Sequence, residues 1–366
     1  MPALEEIQDL PADTRVCSRL LAWGRGLCLL SLAVSLAVLA GWALKINLLT
    51  QDASIWARMK PNAALCFVFL SAASYDLMRG RKHTAPSRCL CLVALLVSLA
   101  TLSQDLFGWN LGIDQILMDE PDSGQIHPGR MAPAVSLGLV MLSLSSLSVD
   151  AWPERKVRPH QSLALGVIVL SGLFLLTYLY NAPGLQPISS YPITSLTSGI
   201  SSSFLAVALL FSRPDQGFMA VVSSNTVAGI AARRFVPALF FIPAALGLVQ
   251  LRGQELGLYG TEYGLALMAL TNTVVLVLLS LIQFSALIRS EFRRGRLRET
   301  LAEKEVTLRN EARIRSLYAS LQDAIVTADA QLKVVEYNDR AEAIFGYREQ
   351  SGLGLSFSQF WREQDR

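Results

Sequence analysis

Charge is scarce in this chain. Asp, Glu, Lys and Arg make up 17% of 366 residues and the formal net charge is +3. So small an excess is too little to argue for nucleic acid, and no nucleic-acid partner is expected. Cysteine is sparse as well. Cys17, Cys28, Cys66, Cys89 and Cys91 fit no disulfide frame and no zinc spacing, and Cys89-Leu90-Cys91 is shorter than a C-x-x-C pair, so these thiols read as structural filler. The histidines His83, His127 and His160 fall in loops between apolar stretches. No helix then carries a haem-ligating pair, and no metal is expected. No H-box, nucleotide-binding glycines or cyclase loop occurs, so no catalytic residue is assigned. Ionisable groups are missing from the centres of the apolar stretches too, Arg25 lying close to one end. That argues against a proton relay or transport path. Asn272 between Thr271 and Thr273, Gln283, and Ser198, Ser201, Ser202 and Ser203 suit hydrogen bonds between helices instead.

Apolar residues are what the chain has in excess: 52% of the total, with a mean hydropathy of +0.39. A water-soluble domain could not hide so much apolar surface. Apolar segments lie near 20–44, 61–78, 89–107, 132–149, 162–180, 194–212, 234–251 and 262–288, each close to the ~20 residues that a helix needs to cross hydrocarbon. The first is too long, and too poor in small residues at its end, for a cleaved leader. Eight membrane helices are expected, in contact with the lipid bilayer. With the N-terminus inside, the inner loops hold Arg15 and Arg19, then Arg79, Arg81, Lys82 and Arg88, then Arg155, Lys156 and Arg158. Arg213, Arg233 and Arg234 follow, then Arg289, Arg293, Arg294, Arg296 and Arg298. Only Lys45, Arg58, Lys60, Arg130 and Arg252 fall outside, so both termini are expected to be cytoplasmic. The stretch 215–234 reads as an inner loop at the interface. The loop 108–129, with Asp114, Asp119, Glu120 and Asp122, and the uncharged turn 181–191 are assigned to the outer face.

An internal repeat marks that outer face. Gly41-Trp42-Ala43-Leu44-Lys45-Ile46-Asn47 recurs as Gly108-Trp109-Asn110-Leu111-Gly112-Ile113-Asp114, and Arg58-Met59-Lys60-Pro61 as Arg130-Met131-Ala132-Pro133. Each unit reads as a helical hairpin with a Pro opening the returning helix, where a missing N–H costs nothing. Hairpins around 180–210 and 249–287 keep the form without the motif. Two readings stand. Trp42, Arg58, Pro61, Trp109, Asp114, Arg130 and Pro133 form a paired sensory site that attracts an anionic or amphipathic ligand, or Trp and Arg simply anchor helix ends at the interface.

The last apolar stretch runs without a break into Arg289-Ser-Glu-Phe-Arg-Arg-Gly295 and a charged, helix-prone segment. Leu297, Leu301 and Leu308 give a short seam suited to pairing with a second copy, though Lys304 and Glu311 occupy alternate seam positions and a solvated helix fits as well. Gly295 is a soft point. From 321 onward the pattern changes. Ala324–Ala328 reads as a strand, Asp329-Ala330-Gln331 as a turn and Leu332–Tyr337 as a second strand. Asn338 then caps a helix from Asp339 to Phe345 that Gly346 ends.

Arg233-Arg234, Pro237, Pro243, Gly247 and Gly257-Leu-Tyr259-Gly-Thr-Glu262-Tyr-Gly264, taken with Gly112-Ile113-Asp114 and Gly129-Arg130-Met131-Ala132-Pro133, resemble a multi-helix sensory region. Such regions occur at the N-terminus of bacterial membrane histidine kinases and, less often, diguanylate cyclases. Asp323, Ile325, Asp329, Asn338, Ala341, Phe345-Gly346-Tyr347 and Gly352 resemble the PAS domain pattern, in which Asp329, Asn338, Phe345 and Gly346 are motif positions. In that family further strands complete a five-stranded sheet around a small pocket, and about half of such a domain precedes Arg366. The resemblance implies a kinase or cyclase output beyond it.

The expected fold is thus mainly α, a polytopic membrane protein of about eight helices in repeated hairpins, followed by a linker helix and an incomplete α/β PAS module. The domains are 1–20 cytoplasmic, 21–288 membrane sensory, 289–320 linker and 321–366 the first half of a PAS domain. The function implied is the sensing part of a two-component histidine kinase in a bacterial inner membrane. Its partners would be a second copy, through the last membrane helix and linker, and a response regulator downstream. The alternatives are a diguanylate cyclase output and a transporter or enzyme with a regulatory tail. No residues call for a cofactor; the PAS resemblance leaves room for a small ligand in its pocket.

Overall fold

The structure, a computed structural model, describes residues 12–46, 58–80, 83–120, 127–151, 158–180, 194–320, 323–346 and 352–358, without the side chains of 286–287, 289–300, 315 and 318–320. The 181–191 turn, Asp122, Tyr347 and the Leu297 side chain lie outside these. The chain divides into two compact units, Met1–Ser285 and Ala286–Arg366.

In the first unit, helices occupy every apolar stretch of the sequence: α1 Thr14–Ala43, α2 Pro61–Leu77, α3 Ala85–Phe107, α4 Pro133–Leu147, α5 Pro159–Leu179 and α6 Leu196–Leu210. A short α7, Met219–Ser223, precedes α8, Val227–Glu255; α9, Thr261–Ser320, begins in this unit, and its residues from Ala286 on belong to the second. Five of them, α1, α3, α5, α8 and the Thr261–Ser285 part of α9, are long and apolar enough to cross a membrane. That is fewer than the eight expected, because three of the apolar segments form shorter helices. Helices α4 and α6 are shorter apolar helices of 15 residues, and α2 has 17.

The packing gives the reason for the difference. Helices α1 to α6 form a ring in which sequence neighbours touch, α6 closes against α1, and α2, α4 and α6 also meet one another inside. The inner helices are buried around most of their circumference by Phe67, Leu70, Leu77, Leu139, Leu142, Leu205 and Leu209. Such helices face protein rather than lipid and need not match the bilayer's thickness. Small residues let them close: Ser71 Oγ donates to Ser31 Oγ across α2 and α1 at 3.1 Å, and Ser203 Oγ to Ser171 Oγ across α6 and α5 at 2.8 Å. Contacts of this kind are how helices associate where no hydrophobic force separates protein from lipid.

Local chemistry sets the helix ends. Asp13 accepts from the Arg15 and Val16 amides, which starts α1 at Thr14 rather than near residue 20 and places Arg15 and Arg19 on the helix. Pro159 at the first position opens α5, so His160 sits in the first turn of a helix and not in a loop. Thr226 caps α8 through the Gly229 amide at 3.2 Å. The loop expected over 215–234 therefore ends at Val227, and Arg233 and Arg234 are helical. Pro237 and Pro243 lie inside α8, each removing one backbone donor.

Side-chain contacts join α8 to α5: Phe240 lies beside Gly172. Tyr180 Oη donates to the Ala244 carbonyl at 3.0 Å, and Gly247 leaves the space that the tyrosine ring fills. Gln250 Nε2 then reaches Thr271 Oγ1 on α9 at 3.2 Å.

In the second unit, β1 Val326–Ala328 pairs antiparallel with β2 Val334–Tyr337, and α10 Asp339–Phe345 follows. The far side of β2 is also used. Gly354 N donates to the Val334 carbonyl at 2.8 Å and Val334 N to the Leu355 carbonyl at 2.9 Å.

Candidate functional site

Two places combine motif residues with specific geometry. The first is the end of the bundle at which α1 stops, where the repeat residues meet. Arg130 lies just before α4 and is 2% exposed. Its Nε donates to Asp114 Oδ2 at 2.9 Å and its Nη1 to Asp105 Oδ1 at 3.4 Å. Gln104 at the end of α3 donates to Asp114 Oδ1 and accepts from the Leu111 amide. The loop after α3 is thereby folded over the helix end, and the left-handed Gly108 at φ 70 makes the turn.

The two copies interlock. Asn62, next to Pro61 in the first copy, donates to the carbonyls of Ile113 and Asp114 in the second at 2.9 and 3.1 Å. Lys60 Nζ lies 2.5 Å from Glu120 Oε2, which also accepts from the Gly129 amide. Matching positions nevertheless do different work. Trp42 Nε1 donates to the Met59 carbonyl at 3.0 Å and pins the start of α2, whereas Trp109 is half exposed, donates to Ser103 Oγ at 3.3 Å and tilts against Phe107. Arg58 is half-buried and, with Lys60, Met131, Ala132, Ser195 and Ser198, lines a cavity of about 10 Å³ where the starts of α2, α4 and α6 converge, room for one water. Pro61 and Pro133 open the first two of those helices.

Of the seven repeat residues, the structure thus joins Asp114 to Arg130 directly and leaves Trp109 on the surface. Sequence reasoning missed Lys60, Asn62, Gln104, Asp105 and Glu120. Gln104-Asp105 at the end of an otherwise apolar run was the available signal.

His83, in the loop between α2 and α3, is buried and its Nε2 donates to the Ser146 carbonyl at 2.8 Å. Burial favours the uncharged ring and holds its pKa below 6.5. The unfolded chain therefore takes up the proton first as pH falls, so the stability from the neutral ring is complete above 6.5 and is lost below it. Thermal unfolding in detergent should show a midpoint that falls between pH 7 and pH 5, and His83→Gln should flatten that slope. The ceiling is about 1.4 kcal/mol per pH unit.

The second place is the strand–helix segment. Asp329 Oδ1 accepts from the Gln331 and Lys333 amides at 3.0 and 2.8 Å, an Asx turn that holds Leu332 in the left-handed region at φ 60. Asn338 Oδ1 accepts from the Ala341 and Ile325 amides, both at 2.9 Å, and its Nδ2 donates to the Asp323 carbonyl at 3.0 Å. One side chain caps α10 and ties it to the segment before β1. Phe345 ends α10, and Gly346 at φ 78 is its left-handed cap. Asn338→Ala should lose the cap and both ties and destabilise this unit by about 1–3 kcal/mol; amide hydrogen exchange over 323–345 checks it, with faster exchange expected there and none over α2.

The chemistry available at both places is hydrogen bonding and ion pairing. No group of His, Cys, Asp and Glu able to hold a metal occurs among the described residues. No curated protein and no solved structure matches the chain. Residues 312–366 match the family model described as PAS fold, so this is a PAS-containing chain with several helices of membrane-crossing length.

Proposed function

We propose that the chain is the sensing and relaying part of a bacterial inner-membrane receptor whose output is a histidine kinase. The observation that carries the reading is one helix, α9, whose first part is a membrane-length apolar span and whose last residues enter the PAS match at 312. PAS domains serve signal sensing, and a receptor needs a membrane input joined to such a module. In this reading the helices cross the bilayer with both termini in the cytoplasm. The Arg130 cluster then faces outward. Arg58 and Trp109 are the sensory contacts, because they are exposed or half-buried, while Asp114, Arg130 and the two prolines hold them in place. The second copy pairs through α9.

The test uses the full-length protein in membrane vesicles, with phosphoryl transfer from ATP to the protein as readout. Arg58→Ala and Trp109→Ala should change the stimulated output several-fold at unchanged membrane abundance. Equal loss of output and abundance would make both residues structural only. Cyclic dinucleotide formed from GTP, with no phosphoprotein, would replace the kinase by a cyclase.

A further inference from the structure

The end of the bundle at which α1 begins holds a cavity of about 640 Å³, within the range of small-molecule sites. Its walls come from five separate segments, and specific bonds fix several of them. Arg213 Nε and Nη2 donate to Asp150 Oδ1 at 3.2 and 2.8 Å, tying the segment after α6 to the end of α4. Gln161 Nε2 donates to the Gln216 carbonyl and its Oε1 accepts from the Phe218 amide, tying the same segment to α5. Gly217 at φ 58 permits that approach, since a Cβ there would meet Gln161 and Arg158. The cavity is therefore built by the fold rather than left between loose loops.

Its lining carries both signs of charge: the guanidiniums of Arg158 and Arg213 and the carboxylates of Asp150 and Asp215, with Asp215 on the exposed side. Guanidiniums match phosphate oxygens in geometry as well as charge, and a carboxylate accepts an ammonium group. His160 lies at the same end, 0% exposed, with no hydrogen-bond partner on either ring nitrogen. Arg158, Arg213 and Asp150 all act on it electrostatically. Its ring does not line the cavity, yet unused polar capacity is thus buried at this end of the bundle, where such groups are normally satisfied.

We propose that this cavity binds a phosphoethanolamine group, with the phosphate on Arg158 and Arg213 and the ammonium on Asp215. The distribution of Lys and Arg puts this end at the cytoplasmic interface, the depth of inner-leaflet headgroups. The group has two sources, a phosphatidylethanolamine headgroup or the free solute. The site lies at the opposite end from the proposed sensory contacts and does not depend on their role; its headgroup depth rests on the proposed sidedness.

The test uses the whole chain in phosphatidylcholine nanodiscs, titrated calorimetrically with phosphoethanolamine and with inorganic phosphate. Saturable binding of phosphoethanolamine is expected. Asp215→Asn should weaken it about tenfold and leave phosphate binding unchanged, and Arg158→Ala should weaken both about tenfold. Should Arg158→Ala fail to fold, Arg158→Lys, which keeps the charge but loses the fork, serves in its place with a smaller loss. Phosphatidylethanolamine retained over phosphatidylcholine in native mass spectra, with free-ligand binding suppressed in discs of that lipid, identifies the headgroup as the source. Unsuppressed binding identifies the solute. Absence of saturable binding together with no lipid preference overturns the proposal, as does binding that Asp215→Asn leaves unchanged.

Discussion

Arg130→Ala should destabilise the membrane unit by about 3–5 kcal/mol, the usual cost of removing one partner from a buried ion pair. The guanidinium is held between Asp114 and Asp105, whose side chains are 10% and 4% exposed. Without the cation, two carboxylates stay buried with no opposite charge. Arg130→Lys should recover only part of the loss, because an ammonium cannot present the planar fork that reaches both acids. The prediction is read as a fall of several degrees in the unfolding midpoint of the protein in detergent, and as partial recovery when Asp105→Asn and Asp114→Asn are added. An unchanged midpoint in Arg130→Ala would show that the cluster contributes nothing to folding. Because the substitution acts through folding, it cannot by itself reveal sensing, whereas the exposed Trp109 can.

The second large effect concerns α9. A residue inserted after Leu301 rotates everything beyond it by about 100°, since a helix turns once in 3.6 residues, and seven inserted residues restore nearly the original face. If α9 relays rotation or sliding to the PAS segment, one inserted residue should change output by more than tenfold and seven should leave it close to the starting level. With the proposed kinase output, phosphoprotein formation in vesicles measures both. Equal responses would mean that α9 is a tether. Leu301 and Leu308 are exposed within one chain, the state expected of seam residues whose partner is a second copy.

The features legible in the sequence were those set by local pattern. Apolar runs gave the helices, and Pro61 and Pro133 marked the starts of α2 and α4. Asp329, Asn338 and Gly346 marked the turn, cap and stop of the small unit, because each acts on amides within a few residues or on the adjacent strand. Charge pairing across the bundle was not legible. Lys60 meets Glu120, Asn62 meets the 113–114 backbone and Arg213 meets Asp150, and no periodicity connects positions so far apart. Nor did the sequence distinguish inner from outer helices. A helix surrounded by protein and one surrounded by lipid are both apolar on every side, and only length and small residues separate α2, α4 and α6 from α1, α3 and α5. The helix starts at Thr14 and Val227 were misplaced for a different reason. Arginines near their starts, Arg15 and Arg19 in α1 and Arg233 and Arg234 in α8, read as loop, while the capping Asp13 and Thr226 lie upstream.

Sensing at one face and relay to the PAS segment at the other require a fixed sidedness. Leu111→Cys and Gln331→Cys, each placed singly in a cysteine-free background, can be challenged with a membrane-impermeant maleimide in vesicles of known orientation. Leu111 lies beside the Arg130 cluster and Gln331 in the turn between β1 and β2, both exposed. A chain that spans the bilayer with its PAS segment in the cytoplasm labels at Leu111→Cys only from the outer side and at Gln331→Cys only from the inner side. Labelling of both from the same side contradicts it.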